Sequence, residues 1–298
     1  MKLGIALRPT VVSPCEIVKL SKIIDQSQVT HLFVPDPPQT YDILGICSAC
    51  LGVSKGLQVG SGVIRFQEYE EKVLLRRLET LQALSENRFV LGVGVGRPGT
   101  SPQDAIKKML DYVHALRNDF RSYKGLQFPI TFVAALRKGI AQKSLQEAEG
   151  ILLNFCSANY VRRLVGDLGQ DRLRSKEIAC YLKVFYSKSR ETATRLMVEE
   201  FSKYDQVTNY HEMFKLDGID QDIKSAQHSL ERDTHEIPPP AMSKISPINP
   251  TTQELSSYVA EYRKAGLTIP VVYPYFSETD NFEFKEEILR SVISLSGG

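Results

Sequence analysis

HLFVPD (31–36), LQVGSGVIRF (57–66) and NRFVLGVGVGRPG (87–99), with the helix-like YDILGICSACLGVSKG (41–56) between the first two, decide the fold. Short apolar runs rich in Val, Leu and Phe alternate with longer segments of helical period. Each run stops at a small or charged residue: Asp36, Gly62 or Gly96. Strands buried on both faces read as continuous apolar runs, which marks a parallel sheet covered by helices. Function in such folds gathers where the strands end, so these stretches locate a site before they identify a reaction.

The same alternation extends in both directions. The first strand is expected over Leu3 to Leu7, and Ser13-Pro14-Cys15-Glu16 offers a capping box with proline at the first helical position. After Gly62 a helix places Leu74, Leu78 and Leu81 on one stripe. Ser101-Pro102 caps the next helix, to about Tyr123. Further strands are expected over Ile130 to Ala135, Gly150 to Asn154 and Ile178 to Phe185, the last followed by a long helical region to about Leu230. ERDTHEIPPPAMSKISPINP (231–250) holds five prolines and is expected to be neither helix nor strand. A capped helix from Thr251 to Gly266, a strand over Ile269 to Tyr273 and a closing helix from about Phe282 to Leu295 complete the chain. Eight strand–helix units with right-handed crossovers close into a single (β/α)8 TIM barrel spanning 1–298, with the proline-rich segment as an insertion before the last unit and a candidate lid. An open doubly wound sheet is the alternative.

Composition narrows the class. The 298 residues are 42% hydrophobic and carry a net charge of +2, which argues for no nucleic-acid partner. No apolar run approaches the ~20 residues that cross a bilayer, so no membrane partner is expected. MKLGIALRPT reads as a strand rather than a signal peptide. Five scattered cysteines make no disulfide framework, and a reduced, cytoplasmic protein is expected. Cys47-Ser48-Ala49-Cys50 matches C-x-x-C but lies mid-helix, where core packing is the plainer reading. The histidines show no ligand spacing, so no metal is expected. Lys183 lies inside a strand without an evident partner.

Three features remain for chemistry. Gly92, Gly94 and Gly96 lie too far inside their strand for a phosphate-cradling fingerprint. They admit a planar ring to the backbone, or they serve tight packing. Arg8, Arg65, Arg97, Arg137 and Lys138 fall at or just after strand ends, where a cationic mouth would favour an anionic ligand. On that reading, neutralising Arg97 and Arg137 together weakens binding. Asp36, at the end of its strand, is a candidate proton donor or orienting group, or else a loop carboxylate.

With the strand ends in place, the chain resembles the bacterial luciferase-like flavin and deazaflavin oxidoreductases. It looks most like the methylene-tetrahydromethanopterin reductases and deazaflavin-dependent dehydrogenases. HLFVPD, LQVGSGVIRF and ENRFVLGVGVG carry the likeness, as do PITFVAAL (129–136) leading to AEGILLN (148–154), and VAEYRKAGLTIPVVYP (259–274). The resemblance implies a tricyclic cofactor across the barrel mouth, either the deazaflavin coenzyme F-420 or FMN. It implies a non-prolyl cis peptide at Gly62–Val63, with Ser61, Gly62 and Val63 shaping the back of the ring and Gly94, Gly96 and Arg97 its edge. The cofactor phosphate is implied at Ala134, Ala135, Leu136, Arg137, Asn154 and Ser157, although relatives commonly have a glycine pair where Leu136-Arg137 stands.

Two departures concern catalysis. Pro37 follows Asp36 where relatives often have histidine, and Arg97 stands where some have glutamate. Proline moves no proton, and arginine is a poor acid. Asp36 is left as the one catalytic candidate. The expected activity is hydride transfer between coenzyme F-420 and a small-molecule substrate. The alternatives are an FMN-dependent monooxygenase and a non-catalytic flavin-binding barrel. Relatives are commonly homodimers, and Leu74 to Leu84 would contribute to such an interface.

Overall fold

Apolar side chains fill both faces of nearly every strand, as the continuous runs demand. The computed structural model describes residues 1–38, 41–96, 101–121, 125–232 and 240–297. Its strands are β1 (Gly4–Ala6), β2 (His31–Val34), β3 (Gln58–Ser61), β4 (Ile64–Arg65), β5 (Phe89–Gly94), β6 (Ile130–Ala134), β7 (Gly150–Asn154), β8 (Glu177–Phe185) and β9 (Ile269–Tyr275). All pairings between them are parallel. Eight strands close a ring in the order β1-β2-β3-β5-β6-β7-β8-β9, with β9 returning to β1 through Gly4 opposite Val271. The short β4 lies outside the ring and pairs with β5 alone. The barrel is therefore a (β/α)8 barrel, and the open sheet is excluded.

The helices are α1 (Pro14–Asp25), α2 (Ile43–Val53), α3 (Glu71–Ser85), α4 (Pro102–Asp119), α5 (Lys138–Glu147), α6 (Ala158–Leu168), α7 (Gln170–Leu173), α8 (Arg190–Asp205), α9 (Thr208–Leu216), α10 (Asp220–Glu231), α11 (Pro240–Ile245), α12 (Thr252–Lys264) and α13 (Phe282–Ser294). Local chemistry sets their ends. Both capping boxes form, Ser13 with Glu16 before α1 and Thr251 with Glu254 before α12. On α3 the buried face is Leu74, Leu78 and Leu81, and burying each leucine contributes about 2 kcal/mol. Cys47 and Cys50 are buried in α2, and all five cysteines are free. Among the described residues, no helix is long and apolar enough to cross a membrane.

Three expectations need correction. The third strand is not continuous to Val63: it breaks after Ser61 and resumes as β4. The long helical region after β8 divides into α8, α9 and α10: Val207 is extended between α8 and α9, and Gly218 adopts a left-handed φ of 72° after α9. The proline-rich segment is partly helical, since Pro240 opens α11, and proline is tolerated in the first turn. Met242 and Ile245 of α11 are buried, and Ile248 bridges to Phe185 of β8. Residues 233–239, where the lid was expected, lie outside the described residues.

Candidate functional site

The interruption between β3 and β4 shapes the carboxyl end of the barrel. Gly60 pairs with Val90 and Ile64 with Val93, so four residues on one strand advance against three on the other. The extra residue is a bulge, a device that re-aims a strand at a site. Gly62–Val63 within it is a cis peptide, as expected. A Cβ on Gly62 would lie 1.7 Å from the Tyr181 hydroxyl oxygen, which donates to the Gly62 carbonyl at 3.1 Å. Across the bulge, a Cβ on Gly92 would lie 2.0 Å from the Ser61 carbonyl oxygen. Glycine is required at both places by close approach. Ser61 itself is buried, its Oγ bonded to the carbonyl and amide of Gly92 at 2.9 Å each.

The bulge backs a cavity of about 420 Å³, into which Gly62, Val63, Gly94 and Gly96 face. Asp36, at the end of β2, supplies an acid pole. Its side chain is nearly buried, and Oδ2 has no hydrogen bond; the Arg65 guanidinium approaches it at 3.4 Å. Arg65 also donates to the Asp36 backbone carbonyl at 3.0 Å and forks onto Glu68 at 2.5 and 2.7 Å. Burial pushes the Asp36 carboxyl up to about 6; Arg65 pulls it back, and the charges of Glu68 and Asp42 add to the rise. Asp36 therefore exchanges a proton near neutral pH, the range useful to a general acid.

The wall that runs from β1 through β9 to α8 is cationic and aromatic. Arg8 follows β1, Tyr273 and Tyr275 come from β9, and Glu200, Lys203 and Tyr204 come from α8. Lys183 does have a partner: its ammonium is 2.5 Å from Glu200, above the rings of Tyr204 and Phe155 at 3.9 and 4.4 Å. Tyr275 donates to the same carboxylate oxygen at 2.6 Å. Burial alone would raise Glu200, but the Lys183 charge and these hydrogen bonds hold it at about 2. Glu200 and Lys183 lie 17 positions apart on a helix and a strand, so no sequence pattern links them. Lys203 was missed for the same reason.

Comparison with solved structures finds this architecture elsewhere. The coenzyme F-420-dependent tetrahydromethanopterin reductase of Methanopyrus kandleri aligns over 98% of this chain and 96% of that chain, with a TM-score of 0.71 and 15% identity. An F-420-dependent secondary alcohol dehydrogenase, in complex with an F-420–acetone adduct, aligns over 98% and 99% with a TM-score of 0.72 and 12% identity. The oxygenating constituent of 3,6-diketocamphane monooxygenase from Pseudomonas putida, in complex with FMN, aligns over 99% and 98% with a TM-score of 0.66 and 11% identity. These proteins share the fold of this chain, a (β/α)8 barrel. At these identities the likeness is one of fold, and no family model and no curated protein matches the chain.

The residues expected at the phosphate are for the most part engaged by neighbouring side chains of the chain. Ala134 and Asn154 line the cavity, whereas Ala135, Leu136, Arg137 and Ser157 do not. Asn154 Nδ2 donates to the hydroxyls of Tyr204 and Tyr210 at 3.0 Å each, and its Oδ1 is buried without a partner. Arg137 pairs with Glu212 of α9 at 2.8 Å, and Lys138 lies 3.7 Å from Asp167. Ser157 caps α6 by accepting from the Tyr160 amide, while the Tyr160 hydroxyl donates to the Leu136 carbonyl at 2.6 Å. Of the five expected cations, Arg8 and Arg65 face the cavity; Arg97 lies outside the described residues. Among the described residues no group of His, Cys, Asp and Glu could hold a metal.

Proposed function

We propose that this luciferase-like barrel is an oxidoreductase that takes coenzyme F-420 in its carboxyl-end cavity and serves hydride exchange with a small organic substrate. The bulge at Gly62–Val63 carries this reading. It sets a flat backbone wall behind a cavity that Gly94 and Gly96 also line. Such a wall suits a tricyclic ring, whereas Asn154, Arg137 and Ser157, expected at the phosphate, are engaged by Tyr204, Tyr210, Glu212 and Tyr160. When bound, the deazaflavin supplies the hydride chemistry, and the protein supplies orientation.

The chain's own residues then have definable tasks. Asp36 takes up and releases a proton around pH 6 and faces the cavity. Arg65, bonded to the Asp36 carbonyl and to Glu68, orients the carboxyl. Tyr181 secures the bulge through the Gly62 carbonyl. The Asp36 acid favours an enzyme over the non-catalytic reading. FMN is the second cofactor reading, supported by the FMN-bound monooxygenase that shares the fold.

Homodimerisation and a cytoplasmic location belong to the proposal. Leu74, Leu78 and Leu81 are spent on the barrel, but Val73 and Leu84 are exposed on α3, and the thiols are unpaired. Absorbance titration with F-420 and with FMN tests the cofactor assignment. A red-shifted, saturable F-420 difference spectrum is expected; response to neither compound would refute the proposal. Light scattering of the purified protein should give twice the chain mass.

A further inference from the structure

The cavity holds an arginine that nothing in the surrounding protein satisfies. Arg8 sits just beyond β1, partly withdrawn from water, with its guanidinium 5.8 Å from the centre of the Tyr275 ring. Among the described residues its side chain has no hydrogen-bond acceptor and no carboxylate within ion-pair distance. Tyr273, Tyr275 and Tyr204 surround it as rings rather than as counter-ions. Glu200 is the one acid on this wall, and Lys183 and Tyr275 already engage its Oε1. Lys203, also on the wall, adds a second positive charge without a hydrogen-bond partner among the described residues. Arg8 thus offers five donors to the cavity that no acceptor among the described residues takes up, so they are available to a ligand.

We propose that Arg8, assisted by Lys203, is the binding subsite for a carboxylate on the substrate, whose reacting end then lies in the same cavity as Asp36. The guanidinium fork matches a carboxylate through two parallel hydrogen bonds, which lysine does not reproduce. The flanking tyrosines supply flat apolar walls, so the substrate joins a carboxylate to an unsaturated or aromatic body. A phosphate on the cofactor is the other oxyanion that this fork would accept. The substrate is favoured because Arg8 and Lys203 come from the end of β1 and from α8, elements separate from the β3–β4 bulge that would back the ring. This inference rests on the oxidoreductase reading, and its test separates the two.

The probes are benzoate, its neutral isostere benzamide, F-420 and FMN, with calorimetry as the readout. Wild-type protein is expected to bind benzoate about tenfold more tightly than benzamide. Arg8→Gln should lose about tenfold in benzoate affinity while benzamide is unchanged, and Arg8→Lys should fall between. Lys203→Ala, an exposed change that leaves the core untouched, should weaken benzoate about threefold and guards against a folding defect in the Arg8 variants. F-420 and FMN affinities should stay within about twofold in Arg8→Gln. Equal binding of benzoate and benzamide by wild type, or unchanged benzoate binding by Arg8→Gln and Lys203→Ala, overturns the subsite. Equal loss of FMN, F-420 and benzoate in Arg8→Gln overturns the substrate assignment and gives Arg8 to the cofactor phosphate. Failure of wild type to bind either cofactor, with an Arg8-dependent benzoate response intact, refutes the oxidoreductase reading but upholds the subsite.

Discussion

The two ends of the barrel use the same residue types to opposite effect. At the amino end, Arg88 donates to the Ser54 hydroxyl and to the carbonyls of Leu51, Ser54 and Leu57, at 3.0–3.2 Å. Asp25 nearby accepts from the amides of Lys55, Gly56 and Leu57 at 2.8–2.9 Å. At the carboxyl end Arg8 has no acceptor, and Asp36 Oδ2 and Asn154 Oδ1 have no donor among the described residues. Size does not separate the ends, since a recess beside Asp25 measures about 590 Å³ against about 420 Å³ for the carboxyl-end cavity. Unmet hydrogen-bonding capacity does. At the amino end these polar groups are paired within the chain, whereas at the cavity Arg8, Asp36 and Asn154 keep capacity that a ligand can meet.

The contrast breaks most visibly in the buried Lys183–Glu200 pair, whose charges meet beside the site. Glu200→Gln leaves the Lys183 ammonium buried without its counter-charge and should cost about 3–5 kcal/mol in urea unfolding. Next comes Arg88→Ala, which strips partners from three carbonyls and should cost about 2–3 kcal/mol while benzoate binding stays at the wild-type level. Arg8→Gln should do the reverse, changing stability by under about 0.5 kcal/mol. If both arginines prove equally structural, the distinction between the ends fails.

The carboxylates sharpen the comparison through pH. Asp36, raised to about 6, keeps a proton in the folded state that the unfolded chain has already released. Its effect on stability is therefore lost as pH rises from about 4 to 6. Burial works to raise Asp25, but its three amide donors overcome this and lower it, so its contribution is present above the ordinary carboxylate pKa and lost on acidification. Between pH 4.5 and 7.5, Asp36→Asn should gain stability relative to wild type, while Asp25→Asn should stay below wild type by a constant amount and close the gap only on further acidification. The smallest effect belongs to the half-exposed Arg137–Glu212 pair. Arg137→Ala should cost under about 1 kcal/mol and leave F-420 affinity unchanged, contrary to the expectation drawn from strand-end cations.

The sequence was legible where backbone geometry dictates residue type. The bulge shows in Gly62 and Gly92 because close approach excludes a Cβ, and the capping boxes show because three-residue spacing is local. Core cysteines were readable from the apolar face of α2. What stayed hidden depended on α8 and α9, whose Tyr204 and Tyr210 cover Asn154 from 50 and 56 positions away. The α11 helix was hidden by its own proline, which serves as a start signal rather than a breaker.

A crystal structure of the protein grown with F-420 tests the account most directly. The deazaflavin ring should lie against Gly62–Val63 in the carboxyl-end cavity, with Asp36 beside it and Arg8 free of its phosphate. A ring bound elsewhere, or a carboxyl-end cavity that stays closed to the coenzyme at saturating concentration, would contradict it.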